Sequence, residues 1–161
     1  MSDSKVVSGL VRTAIIVSDL ERSFSFYSDI LGLDEVYFRG RLEDTNLEKL
    51  LGVPGLAQCD AIVLKAPGPA LGMIGLFRLA LQAESQPTAA AGIRVGETCL
   101  VFDHPDLVSL ERRLRDAGYP VVCPPVSLRV SDQTDSLEMS FRDPDGVMIN
   151  CIQRGCERTP L

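Results

Sequence analysis

The feature that most restricts how this chain can fold is a short pattern that occurs twice. Residues 12–17 are rich in β-branched side chains and end at the polar pair Ser18-Asp19, the mark of a strand running into a turn. Leu20, Phe24, Tyr27 and Leu31 then recur at helical steps, Ser18 or Asp19 can cap the helix, and Gly32 stands where it should close. Further along, 87 residues after Asp19, Asp106-Leu107 repeats Asp19-Leu20. Strand-like Cys99-Leu100-Val101-Phe102 precedes it, Leu107, Leu110 and Leu114 form the stripe, and Gly118 closes it. The Asp-to-Gly spacings, 13 and 12 residues, agree within one. Two copies are too few for a solenoid.

The remaining strand signals fall into the same frame. Residues 35–38 and 120–123 follow the two helices, residues 60–65 and 137–141 come next, and the Gly-started apolar runs 72–77 and 146–152 end each half. Each half reads β-α-β-β-β, an α+β arrangement with one helix covering one face of a sheet. The expected organisation is a single domain over 1–161. It comprises a first module over 8–80, a Gln/Ser/Pro/Ala/Gly linker over 81–96, a second module over 97–155 and a tail over 156–161. The first half also carries an insert: Thr45-Asn46-Leu47-Glu48 has capping-box spacing and predicts a short helix over 46–51, there either for packing or as a lid.

Composition limits the partners. A 161-residue chain can bury roughly 68–70% of its unfolded surface, so neither metal nor disulfide is needed to hold it. Its net charge is −6 and its pI near 4.8, with no run of Lys or Arg, which argues against nucleic acid as a partner. The uncharged stretch 66–77 is too short to span a bilayer, and no apolar run of leader length precedes Arg12. With five cysteines, an odd number, and no C-x-x-C, reduced thiols and a cytoplasmic location are expected.

Val17-Ser18-Asp19-Leu20-Glu21-Arg22-Ser23, Phe26-Tyr27 and Leu31-Gly32-Leu33 resemble the opening signature of the vicinal oxygen chelate superfamily. Phe141-Arg142-Asp143-Pro144-Asp145-Gly146 and the apolar run after it resemble the closing signature. That superfamily includes glyoxalase I, extradiol dioxygenases, methylmalonyl-CoA epimerase, and fosfomycin and bleomycin resistance proteins. The resemblance implies paired βαβββ modules forming a half-open barrel around a cleft, commonly completed as a homodimer. Asp143 to Gly146 is also a turn sequence in its own right, so Asp143 and Asp145 are assigned to turn formation.

The resemblance further implies four metal-ligand positions, on the first and last strand of each module. Carried over residue by residue, they fall on Arg12, Gly75, Cys99 (or Thr98) and Asn150. Arg12 repels a cation, Gly75 has no side chain, Asn150 is a weak oxygen donor, and Cys99 alone makes no site. No metal cofactor is therefore expected. The single histidine, His104, precedes Pro105 at the start of the second helix and reads as a cap or loop residue, which also disfavours a nucleophile with a histidine base.

Strand alternation predicts what lines the cleft. Leu137, Met139 and Phe141 should pack under the helix, which sends Ser136, Glu138 and Ser140 to the other face. The same parity sends Arg12, Ala14, Ile16, Met73, Gly75, Phe77, Cys99, Val101, Met148, Asn150 and Ile152 there, while a slip of one residue would reverse any set. Such walls suit a small molecule. Arg12 can clamp an anion, Phe77, Cys99, Ser140, Met148 and Asn150 can contact it, and Glu138, desolvated by Phe77 and Met148, can act as a general base. The bland alternative is an Arg12–Glu138 ion pair plugging a disused cavity. Tyr37, Arg39 and Arg41 read as a positive rim or a solvated face.

Three functions follow. One is a protein that binds a small, partly apolar organic anion without the usual metal, with or without proton-transfer chemistry of the lyase or isomerase type. Another is a metal-dependent lyase, epimerase or dioxygenase. The third is a non-catalytic dimerising or sequestering domain.

Overall fold

The computed structural model describes residues 7–80, 93–129 and 135–155, and the chain divides into two compact units, Met1–Glu84 and Ser85–Leu161. The expected tail over 156–161 and most of the expected linker lie outside the described residues. In the first unit the order is β1 (Arg12–Ile16), α1 (Leu20–Ser25), β2 (Glu35–Glu43), α2 (Asn46–Leu51), β3 (Gln58–Lys65) and β4 (Met73–Leu79). The second unit follows with β5 (Cys99–Asp103), α3 (Leu107–Asp116), β6 (Val121–Arg129), β7 (Asp135–Arg142) and β8 (Met148–Gln153). The sheets run β1-β4-β3-β2 and β5-β8-β7-β6. In each, the first and last strands pair in parallel and all other pairs are antiparallel. The repeated sequence is thus a repeated topology.

Both helices begin on the repeated aspartate. The Asp19 carboxylate accepts from the backbone N–H of Arg22 at 3.0 Å, and Asp106 accepts from the N–H and hydroxyl of Ser109 at 3.0 and 2.6 Å. Both end at a glycine in the left-handed region, φ 81° at Gly32 and 78° at Gly118, where a Cβ would be strained. Between those points the first helix departs from the expected stripe. It widens over Phe26–Ile30 into a π-helical turn, with the Leu31 N–H donating to the Phe26 carbonyl. The extra residue turns Phe26 inward beside Tyr27, the two rings meeting edge to face at 5.2 Å, while Leu20, Phe24 and Leu31 are only half-buried. In the regular helix α3, Leu107, Leu110 and Leu114 are fully buried as expected.

Strands β2 and β6 run well beyond 35–38 and 120–123, and each carries a register break at the equivalent place, Val36/Phe38 and Val121/Cys123. Strand β6 slips again between Cys123 and Val126, where Pro124 and Pro125 cannot donate to a ladder; an edge strand tolerates this. The insert helix α2 has the expected bounds but not the expected capping box. Thr45 makes no side-chain cap. Asp44 instead accepts from the Asn46 N–H at 2.8 Å, and Glu48 from the Gly55 N–H at 3.0 Å. Leu47 and Leu56 bury themselves against Cys59, with Leu42, Val53, Phe77 and Leu79 packed around them. Packing is what α2 does.

The closing turn is made by Asp143, 4% exposed, whose carboxylate accepts from the N–H groups of Asp145 and Val147 at 3.0 and 2.8 Å. Cys59, Cys99, Cys123 and Cys151 are free thiols, and no helix among the described residues is long and apolar enough to cross a membrane.

The α3 stripe is the second unit's main packing contact with its helix. Leu110→Ala is expected to cost about 2–5 kcal/mol and Leu110→Met less than about 1.5 kcal/mol, read from urea denaturation midpoints.

Candidate functional site

Register decides which side chains share a face. In the first unit, the Arg39 guanidinium stacks over Phe24 of α1, 5.2 Å from the ring centroid, and pairs with Glu21 at 2.5 Å. Residues beside Arg39 in register, Ile62, Leu76 and Ile15, therefore face the helix. The opposite, open face carries two rows across the sheet, Ala14–Gly75–Val63–Phe38 and Ile16–Phe77–Ala61–Gly40, with Arg12 and Met73 in the row beyond; Arg12, Ala14, Ile16, Phe38 and Gly40 are exposed on it, and Ala61, Val63, Met73 and Gly75 are buried. In the second unit, the N–H of Leu107 in α3 donates to the side-chain Oε1 of Gln153 at 2.9 Å, so Gln153, Cys151 and Ile149 face the helix. Its open face carries Val101–Asn150–Ser140–Cys123 and Cys99–Met148–Arg142, with Glu138 beside Ile152. The parity read from the sequence holds in both units. Met139 and Phe141 are buried on the helix side, and Leu137 is half-buried.

Tyr37, Arg39 and Arg41 do not form one rim. The register break at Tyr37 separates it, and both arginines point to the helix side, where Arg41 pairs with Asp60 at 2.8 Å. A groove of about 650 Å³ lies there, lined by Ser18, Asp19, Arg39, Arg41, Asp60 and Arg78. Its charges are already committed: Arg39 to Glu21, and Arg41 and Arg78 to Asp60, whose carboxyl the Arg41 hydrogen bond holds below its ordinary range.

Arg12 is different. It is exposed on the open face, with no carboxylate partner among the described residues, and its guanidinium lies over the Phe77 ring, 5.5 Å from the centroid. Phe77 is in turn packed against the Leu47–Leu56–Cys59 cluster under α2. Between Arg12 and Phe77 lies Gly75, where a Cβ would stand 2.7 Å from Arg12 Cδ and 2.7 Å from Phe77 Cε2.

Glu138 takes two hydrogen bonds within its own unit, from the Ser136 hydroxyl at 2.6 Å and the Asn150 amide at 3.2 Å. These donors fix its orientation on the same face as Ser140. Met148 is buried and Cys99 half-buried; burial pushes the Cys99 thiol up, partly opposed by a hydrogen bond from the Asn150 backbone. His104 is a turn residue: its Nδ1 accepts from the Asp106 N–H at 3.1 Å, its Nε2 meets Arg113 at 3.2 Å, and burial followed by Arg113 pulls its pKa down.

The four positions implied as metal ligands do not fit a metal. The Arg12 stem and the Phe77 rim fill the space a ligand side chain at residue 75 would need. Cys99 and Asn150 add one raised thiol and one amide, and among the described residues no three His, Cys, Asp or Glu side chains gather as a ligand set.

Two features escaped the sequence reading. One is the part α2 plays behind Phe77, hidden because no spacing rule links residues 47 and 77. The other is Arg142, 8% exposed, which donates to Glu97 and to the Gly146 carbonyl at 2.6 Å, at the end of the row holding Met148 and Cys99. Its place in the closing signature was the available signal.

A family profile described as Glyoxalase/Bleomycin resistance protein/Dioxygenase superfamily matches residues 9–151. Among solved structures, a glyoxalase family protein from Bacillus cereus is 19% identical, with a TM-score of 0.74 over 96% of this chain and 98% of that one. A glyoxylase/bleomycin resistance protein/dioxygenase domain from Frankia sp. is 22% identical, with a TM-score of 0.63 over 95% and 96%. A glyoxalase I mutant from Zea mays is 17% identical, with a TM-score of 0.59 over 91% of this chain but 45% of that one. No curated protein matches the chain.

Arg142, then the backbone N–H of Arg94, holds the Glu97 carboxyl below its ordinary range. A depressed acid stabilises the fold fully above its unfolded pKa, about 4.3, and loses that contribution as pH falls through the lower folded value. Urea denaturation from pH 6 downward should therefore show Glu97→Gln less stable at pH 6, with the difference from wild type shrinking below about pH 4. A difference that stays constant with pH would show that the ion pair contributes nothing.

Proposed function

The chain belongs to the Glyoxalase/Bleomycin resistance protein/Dioxygenase superfamily, and from that premise we propose that it binds a small, partly apolar organic anion on its open sheet face, without a metal. One observation carries the reading. Arg12 is an exposed guanidinium set among apolar side chains, with no carboxylate of its own among the described residues, and a cation so placed has its bidentate donors available for a ligand. The apolar neighbours Ala14, Ile16 and Phe77 supply contact area, and this combination of apolar wall and few polar groups is what small-molecule sites use.

Metal-dependent lyase, epimerase or dioxygenase chemistry is disfavoured by the donor set at residues 12, 75, 99 and 150 rather than by the fold, which hosts several chemistries. Turnover, as opposed to sequestration, needs a proton acceptor, and the second unit carries a candidate of its own, Glu138. Ser136 and Asn150 orient that carboxylate, so it is our candidate proton acceptor for lyase- or isomerase-type chemistry; Ser140 and Asn150 form the adjacent row, and Cys99 and Met148, two rows away on the same face, are proposed as further ligand contacts. The proposal includes a homodimer in the cytoplasm, as the family resemblance and the composition imply.

Screening organic acids by thermal shift on untagged protein tests the reading. A stabilising acid should lose about tenfold in affinity with Arg12→Ala and less with Arg12→Lys, which keeps the charge but not the fork. Its binding should be unchanged after chelator treatment. Stoichiometric zinc, nickel, manganese or iron by mass spectrometry, with binding that vanishes on chelation, would overturn the metal-free reading.

A further inference from the structure

We infer that Gly75 is the positioning residue of this anion site, and that the ligand it selects is a carboxylate on a flat apolar body; the inference rests on the binding reading above. A Cβ at residue 75 would come within 2.7 Å of both Arg12 Cδ and Phe77 Cε2, and 3.2 Å from Phe77 Cζ. Contacts that short do not occur, so one of the two side chains would have to shift. Phe77 has little freedom, because its ring is packed against the cluster of Leu47, Leu56 and Cys59. Arg12 is the exposed member and would be displaced. The bare backbone at residue 75 is therefore what lets the arginine stem lie down across β4 and bring its guanidinium over the ring.

That posture defines what the guanidinium can recognise. Its face on the ring side is committed to Phe77, which leaves its in-plane N–H groups as the donors, and a coplanar pair of donors matches the two oxygens of a carboxylate. The surface beside it is apolar. Exposed Ala14 neighbours Gly75 in register and Ile16, 43% exposed, neighbours the half-buried Phe77, while Ala61 beyond Phe77 is fully buried and the Phe38 ring covers Gly40. Ala14, Ile16 and the edge of the Phe77 ring make a short apolar strip beside the guanidinium, which favours a flat skeleton over a branched one.

The test uses the full chain and NMR titration with 2-naphthoate, acetate, inorganic phosphate and neutral 2-naphthol. Wild type should bind 2-naphthoate in preference to the other three, and its Arg12 side-chain protons should show an upfield ring-current shift from Phe77. Gly75→Ala should abolish that shift and weaken 2-naphthoate about tenfold, matching Arg12→Ala. Loss of binding in Arg12→Ala with full binding in Gly75→Ala would overturn the role of Gly75 and leave the anion site standing. Binding unchanged in both would overturn the anion site as well. Equal affinity for phosphate or 2-naphthol would overturn the ligand class. Where Gly75→Ala fails to fold, Phe77→Leu takes its place: it keeps the glycine but removes the ring, and 2-naphthoate affinity equal to wild type would overturn the inference.

Discussion

The open face of the first sheet depends on the contact between the Arg12 guanidinium and the Phe77 ring across a residue with no side chain. Cation–π contacts at exposed positions contribute on the order of 0.5–1 kcal/mol, too little to immobilise a long arginine without help. Help comes from both sides. Gly75 leaves the floor clear below, and the apolar cluster at the base of α2 keeps the ring from turning away. Arg39 of β2 also lies over a ring, that of Phe24, but it is paired with Glu21, as Arg41 is with Asp60, so the arginines of β2 are spent on surface ion pairs of little energetic weight.

The two units solve the same folding problem with the same devices and then fill the equivalent positions differently. Arg12 and Cys99 open the paired rows, Met73 and Met148 stand opposite them, and Gly75 and Asn150 come two residues later. The first unit ends up with a cation on an apolar ground, the second with a carboxylate held by a hydroxyl and an amide. Because side chains alternate with a period of two, these differences sit on one face without disturbing the packing of the other.

Much of this was legible in the sequence because it is local or strictly periodic. Asp19 and Asp106 marked helix starts, Gly32 and Gly118 marked helix ends, and alternation in residues 137–141 told the two faces of β7 apart. What was not legible depends on contacts remote in the chain or on irregular geometry. The π-helical turn drew in Phe26 against the expected stripe, and the register break at Tyr37 moved Arg39 and Arg41 to the helix side. The capping box at Thr45 had the right spacing, but Thr45 makes no side-chain cap and the Asp44 carboxylate accepts from the Asn46 N–H. At the candidate site, the sequence showed that residue 75 lacks a ligand side chain. In the structure the missing side chain is room for two others, those of Arg12 and Phe77.

The insert between β2 and β3 has no counterpart of similar length between β6 and β7. It gives the first unit something the second lacks: a place where change is cheap and felt at a distance. Residues 46–51 lie largely on the surface, and surface loops accept substitutions and length changes that a sheet refuses. Yet Leu47 and Leu56 set how firmly Phe77 is held, so drift in this segment retunes the arginine without touching the strands that carry it. A lineage could adjust its ligand preference there gradually, keeping its duplicated scaffold intact.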